Sequence, residues 1–560
     1  MAMVVAMVPV LNAPAQEEQS PTKALKKGKV QLQILSLNDF HGNLEPPSGS
    51  SGRITLPDDE GGGTVDAGGA QYLATHLDLL REGQDHSIFV AAGDLIGASP
   101  LLSALFHDEP TIEAMNLMDL KISSVGNHEF DEGSKELLRM QRGKCHPDDG
   151  CLDGDGFEGA DFQYLSANVF KKGKKNKTLL PAYKIRKYEG IKVAFIGLTL
   201  EGTPDIVTPT GVAGLNFRDE ANTTNKLVKK LKTKKGVKAF VVLIHEGGFP
   251  TGFYDECPGI SGPIVDIVER TSPQVDMFIS GHTHTAYNCV IDDRPVTSAS
   301  SFGRIVTEYN AELDKGTKDF SSIEVGNVIV TRDVEEDASI LSLVAKYAEL
   351  SEELRNEVIG SIDGDIVRAA NAAGESPLGD LIADAQLEST STEALGNPVV
   401  AFMNPGGIRA DLTYAAAKEE ADGEVTYEEA FTVQPFSNVL TVLTITGAQI
   451  EELLEQQWDQ DVPKVLQVSE GFTYAWDPDA PAGDRVDPAS IMLNGVVIDP
   501  LAEYRVTVNN FLAEGGDGFA VLTEGTNSQG ADIDVDAFVD YIGAHSPVPV
   551  PVPDRIMLVP

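Results

Sequence analysis

The sequence predicts a layered α/β protein in two domains, with a long helix joining them. Three observations predict it. Apolar strand-like runs alternate with helical stretches through the first half of the chain, as in strands buried on both faces and covered by helices. Polar residues stand directly after the ends of those runs, where layered α/β folds gather their ligands. One long amphipathic pattern then separates this half from a second mixture of helices and strands. At 560 residues the chain exceeds what a single core ordinarily supports.

In chain order, residues 1–28 read as a signal-like segment, since Met1 to Gln16 is a short apolar run ending in small residues, although no basic residue precedes it. About ten apolar residues are too few to span a bilayer, and no later stretch is long enough. The first domain is expected over 29–334. Val30 to Leu37 reads as a strand ending in Asn38-Asp39-Phe40-His41-Gly42, and residues 45–69 as a surface loop rich in Gly, Pro, Ser and Asp. A helix is expected from Ala70 to Leu80, a buried strand from Ser87 to Ala92 ending in Gly93-Asp94, and helical pattern onward to Met118. The next strand, Leu120 to Val125, delivers Gly126-Asn127-His128-Glu129-Phe130-Asp131. Further strands at Lys192–Leu198, Ala239–Ile244 and Val275–Ser280 follow, the last two running into His245-Glu246-Gly247-Gly248 and Gly281-His282-Thr283-His284. A linker helix is expected over 335–362 on the spacing of Ile340, Leu343, Val344, Tyr347, Leu350, Leu354 and Val358. The second domain is expected over 363–545, and 546–560 as a stiff Pro/Val-rich tail.

The formal net charge of −43 argues against a nucleic-acid polymer as partner, because a phosphate backbone would be repelled over most of the surface. It also requires that any anionic substrate meet local positive charge. The acidity reads as a solubility feature suited to a salty medium. Lys171 to Lys177 and Lys226 to Lys238 read as solvated turns and an exposed helix face, since no aromatics interleave them. Asp153-Gly154-Asp155-Gly156 hints at calcium, but the loop pattern fails at Phe157 and no site is assigned. Four cysteines suit an exported protein, and the expected pairs are Cys145–Cys151 and Cys257–Cys289.

Seven residues that follow five strands carry the chemistry: Asp39, His41, Asp94, Asn127, His245, His282 and His284. Taken singly, each histidine is more often a satisfied structural residue than a ligand. Together they form a mixed nitrogen and oxygen donor set suited to two divalent cations of zinc, manganese, cobalt or iron, with Asp94 bridging. Such a pair lowers the pKa of a water and holds the oxygens of a phosphate ester. His128, beside Asn127, fits a different role. Asp131 can orient it, and the pair can stabilise phosphoryl charge and assist the leaving oxygen.

The stretches Asp-Phe-His-Gly at 39–42, Gly93-Asp94, Gly-Asn-His-Glu at 126–129, His245 and Gly-His-Thr-His at 281–284 resemble the calcineurin-like metallophosphoesterase pattern, and Asn-His-Glu-Phe-Asp is similar to its 5′-nucleotidase branch. The resemblance implies a metallophosphoesterase β-sandwich flanked by helices. It assigns Asp39, His41, Asp94 and His284 to one metal, Asp94, Asn127, His245 and His282 to the other, and His128 with Asp131 to the catalytic dyad.

In the second half, Glu375-Ser376-Pro377-Leu378-Gly379-Asp380-Leu381, Asn404-Pro405-Gly406-Gly407-Ile408-Arg409, Gln434-Pro435-Phe436-Ser437-Asn438 and the segment Asn510 to Phe519 resemble the substrate domain of the same family. Glycines beside Arg409 permit close backbone approach, and a guanidinium pairs with phosphate. Alone, Phe436 and Phe511 read as core residues. The resemblance makes Asn404 and Arg409 substrate contacts, Phe436 and Phe511 a base clamp, and Asp517 a ribose contact. It also implies hinge motion at the linker. One departure is Gly374, where family members often carry a further substrate arginine; the nearest here is Arg368.

The expected activity is hydrolysis of nucleoside 5′-monophosphates, with UDP-sugars or other nucleotides as further substrates, by a secreted, periplasmic or cell-surface enzyme. Two alternatives stand beside it. One is a 2′,3′-cyclic-nucleotide 2′-phosphodiesterase/3′-nucleotidase; the other is a surface-binding protein with a vestigial metal site.

Overall fold

The computed structural model describes residues 28–47, 49–207, 210–417, 420–436, 438–459 and 462–559. The signal-like stretch 1–28 therefore lies, but for its last residue, outside the described residues. No described helix is long and apolar enough to cross a membrane.

Among the described residues, two six-stranded sheets build the first domain. In spatial order the first runs Asp319–Ile329, Ile305–Asp314, Lys29–Leu37, Ser87–Ala91, Leu120–Ser124 and Gln163–Leu165. The second runs Ala286–Ile291, Arg294–Ala299, Met277–Ile279, Ala239–His245, Ile191–Thr199 and Tyr183–Tyr188. Within each sheet four neighbouring strands are parallel, and the antiparallel strands lie outside them.

Alternation along each strand divides its side chains between two cores. Leu32, Ile34, Ile88, Val90 and Ile122 meet Val193, Phe195, Val241, Leu243 and Ile279 between the sheets. Leu35, Leu37, Phe89 and Ala91 point the other way, onto residues of the helices Ala70–Arg81 and Glu109–Leu117. Ala194, Ile196, Phe240 and Val242 likewise pack residues of the helices Glu220–Lys235 and Pro263–Arg270. Burial on both faces is why these strands read as nearly continuous apolar runs.

The helical pattern expected up to Met118 is broken. Leu101–Ala104 and Glu109–Leu117 are separate helices, divided where His107 and Asp108 take φ of 51° and 59°, with Pro110 in the first turn of the second helix. The linker helix is Ala338–Arg355, shorter than the 335–362 expected, with Asp337 accepting the Ser339 and Ile340 N–H groups at its start. Val358, counted into its apolar stripe, lies instead in the strand Val358–Ser361, paired antiparallel with Glu424–Thr426. The β-branched pair Val358-Ile359 gains more from that ladder than from an exposed helix end.

Lys346 of this helix donates to Asp153 at 2.7 Å and to Asp155 at 3.1 Å. An ammonium thus pairs with both carboxylates of the Asp153-Gly154-Asp155 turn that hinted at calcium. Both expected disulfides, Cys145–Cys151 and Cys257–Cys289, are formed. Lys226–Lys235 lies in the helix Glu220–Lys235, whose buried face carries Leu227, Val228 and Leu231 rather than its lysines.

The second domain is built on a five-stranded sheet, Gln467–Val468, Val400–Met403, Glu503–Asn509, Val439–Thr446 and Thr526–Ile533. Residues of the helices Pro377–Thr390 and Asp534–His545 pack with Met403 in one core, and residues of Gly447–Glu455 with Val400 and Phe402 in another. The Pro/Val-rich tail is docked on this domain. Val548 bridges to Ile362, Ile556–Leu558 pairs with Phe472–Trp476, and Arg555 holds both Asp384 carboxylate oxygens at 2.8 Å.

Candidate metal centre

Because the central strands are parallel, their carboxyl ends share one edge of the sandwich, and the residues that follow them meet there. Asp39 and His41 follow Lys29–Leu37, Asp94 follows Ser87–Ala91, and Asn127 follows Leu120–Ser124. From the other sheet, His245 ends Ala239–His245, and His282 and His284 follow Met277–Ile279. All seven lie together.

His41 Nε2 stands 3.1 Å from His284 Nε2, 3.7 Å from Asp94 Oδ2 and 4.0 Å from Asp39 Oδ1. His284 Nε2 is 3.5 Å from Asp39 Oδ1. His245 Nε2 lies 2.9 Å from Asp94 Oδ2 and 3.2 Å from Asn127 Oδ1, and a His282 nitrogen is within 4.8 Å of ligand atoms of both Asp94 and His245. Asp94 thereby touches both groups.

The far side of each ring fixes which nitrogen is bare. His41 Nδ1 donates to the Gly97 carbonyl at 2.7 Å, and His245 Nδ1 to the Ala92 carbonyl at 2.8 Å, since a carbonyl only accepts. Nε2 is therefore the nitrogen of each ring that faces the centre, the arrangement that orients metal-ligating imidazoles. Burial holds His41 and His284 well below the usual imidazole pKa, so both rings are neutral; at His245 burial is outweighed by Asp94, which raises it to about 10, a proton that a bound cation would displace. Burial pushes the Asp39 carboxyl up to about 7, with His245 opposing and Asp94 adding to the rise. Lone pairs and carboxylate oxygens packed this closely, at 0–1% exposure for Asp39, His41, Asp94 and His245, call for positive charge among them. The donor set fits a pair of divalent cations.

The backbone is strained around the site. Asp39, His41, Asp94, His282 and His284 have φ of 49°, 46°, 49°, 74° and 55°. A left-handed conformation costs a residue with a side chain about 1–2 kcal/mol, so five such residues mark a site held against its local preference. Gly126 permits the approach: a Cβ there would fall 2.1 Å from Asp94 Oδ1 and 2.8 Å from the His245 ring.

Two residues to which the sequence reading gave no role hold the cluster. Glu129 accepts the Asp94 N–H at 3.0 Å, Leu95 N–H at 2.9 Å and Gly126 N–H at 2.6 Å, tying two ligand loops together. Asn38 donates to Asp39 Oδ2 and to the Ser300 carbonyl, both at 2.6 Å, and accepts the Ala299 N–H at 2.7 Å. Their place beside Asp39 and His128 was the available signal.

His128 lies within 4.8 Å of ligand atoms of His41 and Asp94, but its Nδ1 is 2.8 Å from Asp131 Oδ2. Burial alone would lower its pKa; Asp131 and then Asp94 outweigh that and raise it.

The expected residues of the second domain fall into two groups, of which the first meets the metal centre. Phe436 stacks on His128 with ring centroids 5.7 Å apart, and the Arg409 guanidinium lies 5.7 Å from the Phe436 centroid. Arg409 Nη2 is buried with no hydrogen-bond partner, and its charge acts on Asp94, Asp131 and Asp39. In the other group, Asn404 donates to Asp517 at 3.1 Å and accepts from Asn509 at 3.0 Å. Phe511 packs across the same turn, where a Cβ on Gly516 would fall 2.5 Å from its ring. Phe436 and Phe511 thus belong to different groups. Arg368, the nearest arginine to Gly374, donates to the Arg409 carbonyl at 2.9 Å, and its charge acts on the Arg409 guanidinium.

The family model of calcineurin-like phosphoesterases matches residues 32–286, and that of the 5′-nucleotidase C-terminal domain matches 358–524. Endonuclease YhcR of Bacillus subtilis is 35% identical over 92% of this chain, which spans 40% of that protein. Cell wall protein Lmo0130 of Listeria monocytogenes is 32% identical over 92% of this chain, which spans 67% of it. The crystal structure of a 5′-nucleotidase precursor from Thermus thermophilus matches at a TM-score of 0.75 and 27% identity, covering 94% of this chain and 99% of that one. With both domains matched in order around one buried donor cluster, the chain belongs to the 5′-nucleotidase family of calcineurin-like phosphoesterases, which are metal-dependent phosphohydrolases.

Proposed function

We propose that the chain hydrolyses nucleoside 5′-monophosphates to nucleoside and phosphate. Asp39, His41, Asp94 and His284 would hold one divalent cation, and Asp94, Asn127, His245 and His282 the other. When bound, such a pair supplies Lewis-acid charge to the phosphoryl oxygens and lowers the pKa of a water placed for in-line attack. His128, oriented through Nδ1 by Asp131, stabilises the phosphoryl charge through Nε2 and assists departure of the ribose oxygen.

The observation that carries the reading is the orphaned Arg409 donor. A buried guanidinium nitrogen without a partner costs free energy, and here it lies in the cleft opposite the donor cluster. A phosphate bridging the cluster and Arg409 satisfies both. Arg368 adds charge where Gly374 offers none. Asn404 and Asp517 are hydroxyl partners suited to a ribose, and Phe436 and Phe511 are flat faces for a base. An exported location is supported by the two disulfides and by the name of the Listeria relative, a cell wall protein.

The test is phosphate release from AMP, 3′-AMP and 2′,3′-cyclic AMP, each with chelator and with zinc, manganese or cobalt restored. Adenosine and phosphate from AMP, lost on chelation and regained with metal, is the expected result. Preference for the cyclic substrate and 3′-AMP would replace this reading with a 2′,3′-cyclic-nucleotide 2′-phosphodiesterase/3′-nucleotidase. Release from none of them would leave a binding protein.

A further inference from the structure

Arg409 is not alone in keeping buried polar atoms unpaired. Gln434, which stands two residues before Phe436 and to which the sequence reading gave no role, is 1% exposed. Among the described residues, neither its Oε1 nor its Nε2 has a hydrogen-bond partner. A buried carboxamide with both groups unpaired costs free energy, and an apolar side chain of the same length would avoid that cost.

Its surroundings place it at the seam between the domains. The helix Tyr427–Val433 ends just before it, and the Gln434 N–H still bonds the Ala430 carbonyl at 3.1 Å. Phe431, three residues earlier and so on the same side of that last turn, packs with Leu101 of the first domain. Phe436 stacks on His128. The Val433 carbonyl accepts the Arg409 N–H at 2.8 Å, which brings the backbone of that arginine alongside. Gln434 is thus enclosed between one contact with the first domain, at Leu101, and another at the dyad histidine.

We propose that Gln434 is a specificity-determining residue that hydrogen-bonds the edge of the substrate's nucleobase, an inference that rests on the nucleotidase reading above. Its carboxamide needs a ligand that accepts from Nε2 and donates to Oε1. The oxygens of a phosphate dianion only accept, so phosphate would leave Oε1 unpaired. Ribose hydroxyls do both, but the residues suited to them, Asn404 and Asp517, lie with Phe511 in the other group.

A nucleobase edge sets an acceptor beside a donor, and a glutamine carboxamide meets both at once. Phe436, two residues on, is a flat face for the base, and stacking there leaves the base's edge free for hydrogen bonds. Parting of the domains returns the carboxamide to water, and closing over a base pairs it again. Closing over a substrate without a base strands both of its groups.

The experiment compares the full chain with Gln434→Met, an unbranched apolar side chain of similar length, on AMP and on ribose 5-phosphate, the same kind of ester without a base. In the variant kcat/KM for AMP should fall about tenfold or more, that for ribose 5-phosphate should stay within about twofold, and the urea midpoint should not fall. An unchanged rate on AMP, or an equal loss on both esters, would overturn the proposal. So would a lowered midpoint, which would mean that the carboxamide is held by a water or a partner within the fold. Adenosine affinity, measured by calorimetry on both proteins, needs no turnover and should weaken about tenfold in the variant. A wild type that cleaves neither ester therefore rejects the nucleotidase reading and leaves adenosine to decide this one: equal affinities, or no binding to either protein, would overturn it.

Discussion

Replacing His128 by alanine removes the imidazole that Asp131 orients while sparing every side chain assigned to a metal. Turnover of AMP is expected to fall by about 10²–10⁴-fold, the range for loss of a positioned acid–base group, with metal content unchanged. Activity within a few-fold of wild type would reject the dyad. Glu129 is a different kind of residue, since it touches backbone rather than substrate. Its two oxygens take three N–H groups. In Glu129→Gln one oxygen becomes an NH₂ that faces donors, so a loss of about 1–3 kcal/mol in denaturant unfolding is expected; an unchanged midpoint would show that the clamp bears no weight. These two residues also mark how far the sequence could be read. The seven donors were legible because each sits at the end of an apolar run, a position that needs only local pattern. Glu129 and Asn38 stand among them with no distinguishing type. Their roles depend on partners such as Leu95 and Ser300, remote in sequence, which only the fold brings near.

At the scale of elements, the parallel strands were legible because both faces are buried and the apolar run is uninterrupted. The helix ends were not. Pro110 did offer a local mark of the break at His107 and Asp108 that the apolar pattern overrode, whereas nothing local marks Val358 as a partner for Thr426. The docked tail escaped for the same reason, since a proline-rich segment carries no sign of the surface that receives it. One element-level contact has a measurable pH dependence. Asp276, just before the strand Met277–Ile279, accepts the Phe240 N–H at 2.7 Å. Burial raises its carboxyl from the ordinary 3.8 to about 8. The folded chain thus keeps a proton that the unfolded chain releases, and stability falls as pH rises through that window. In Asp276→Asn, which can still accept the bond, this part of the fall disappears. Urea midpoints measured at pH 5 and pH 8 should lie closer together in the variant than in the wild type; an equal spread would remove Asp276 as its source.

The whole molecule is seen with its cleft closed. Phe436 rests on His128, Leu101 packs with Phe431 and Val535, and Arg355 at the end of the linker helix bonds both Glu428 at 2.8 Å and Glu45. We expect the domains to part so that a nucleotide can enter between them. The contacts on either side of Asn356 and Glu357 point to that junction as the hinge. Lys346 and Tyr347 anchor the linker helix to Asp153 and Glu113 of the first domain, whereas Val358–Ser361 belongs to the second; Asn356 and Glu357 lie between. Arg355 sits at that junction with its side chain 5% exposed, and it is the charged latch across it. In Arg355→Met the guanidinium that bonds Glu428 and Glu45 across the junction is lost, so the variant should favour the open form. Small-angle scattering of the wild type with metal should give a smaller radius of gyration when a non-hydrolysable AMP analogue is bound than when it is absent. Arg355→Met without analogue should be larger still, and should need more analogue to close. Profiles that superpose across all four samples would mean that the domains do not move, and that substrate reaches the metals by some path other than the cleft between them.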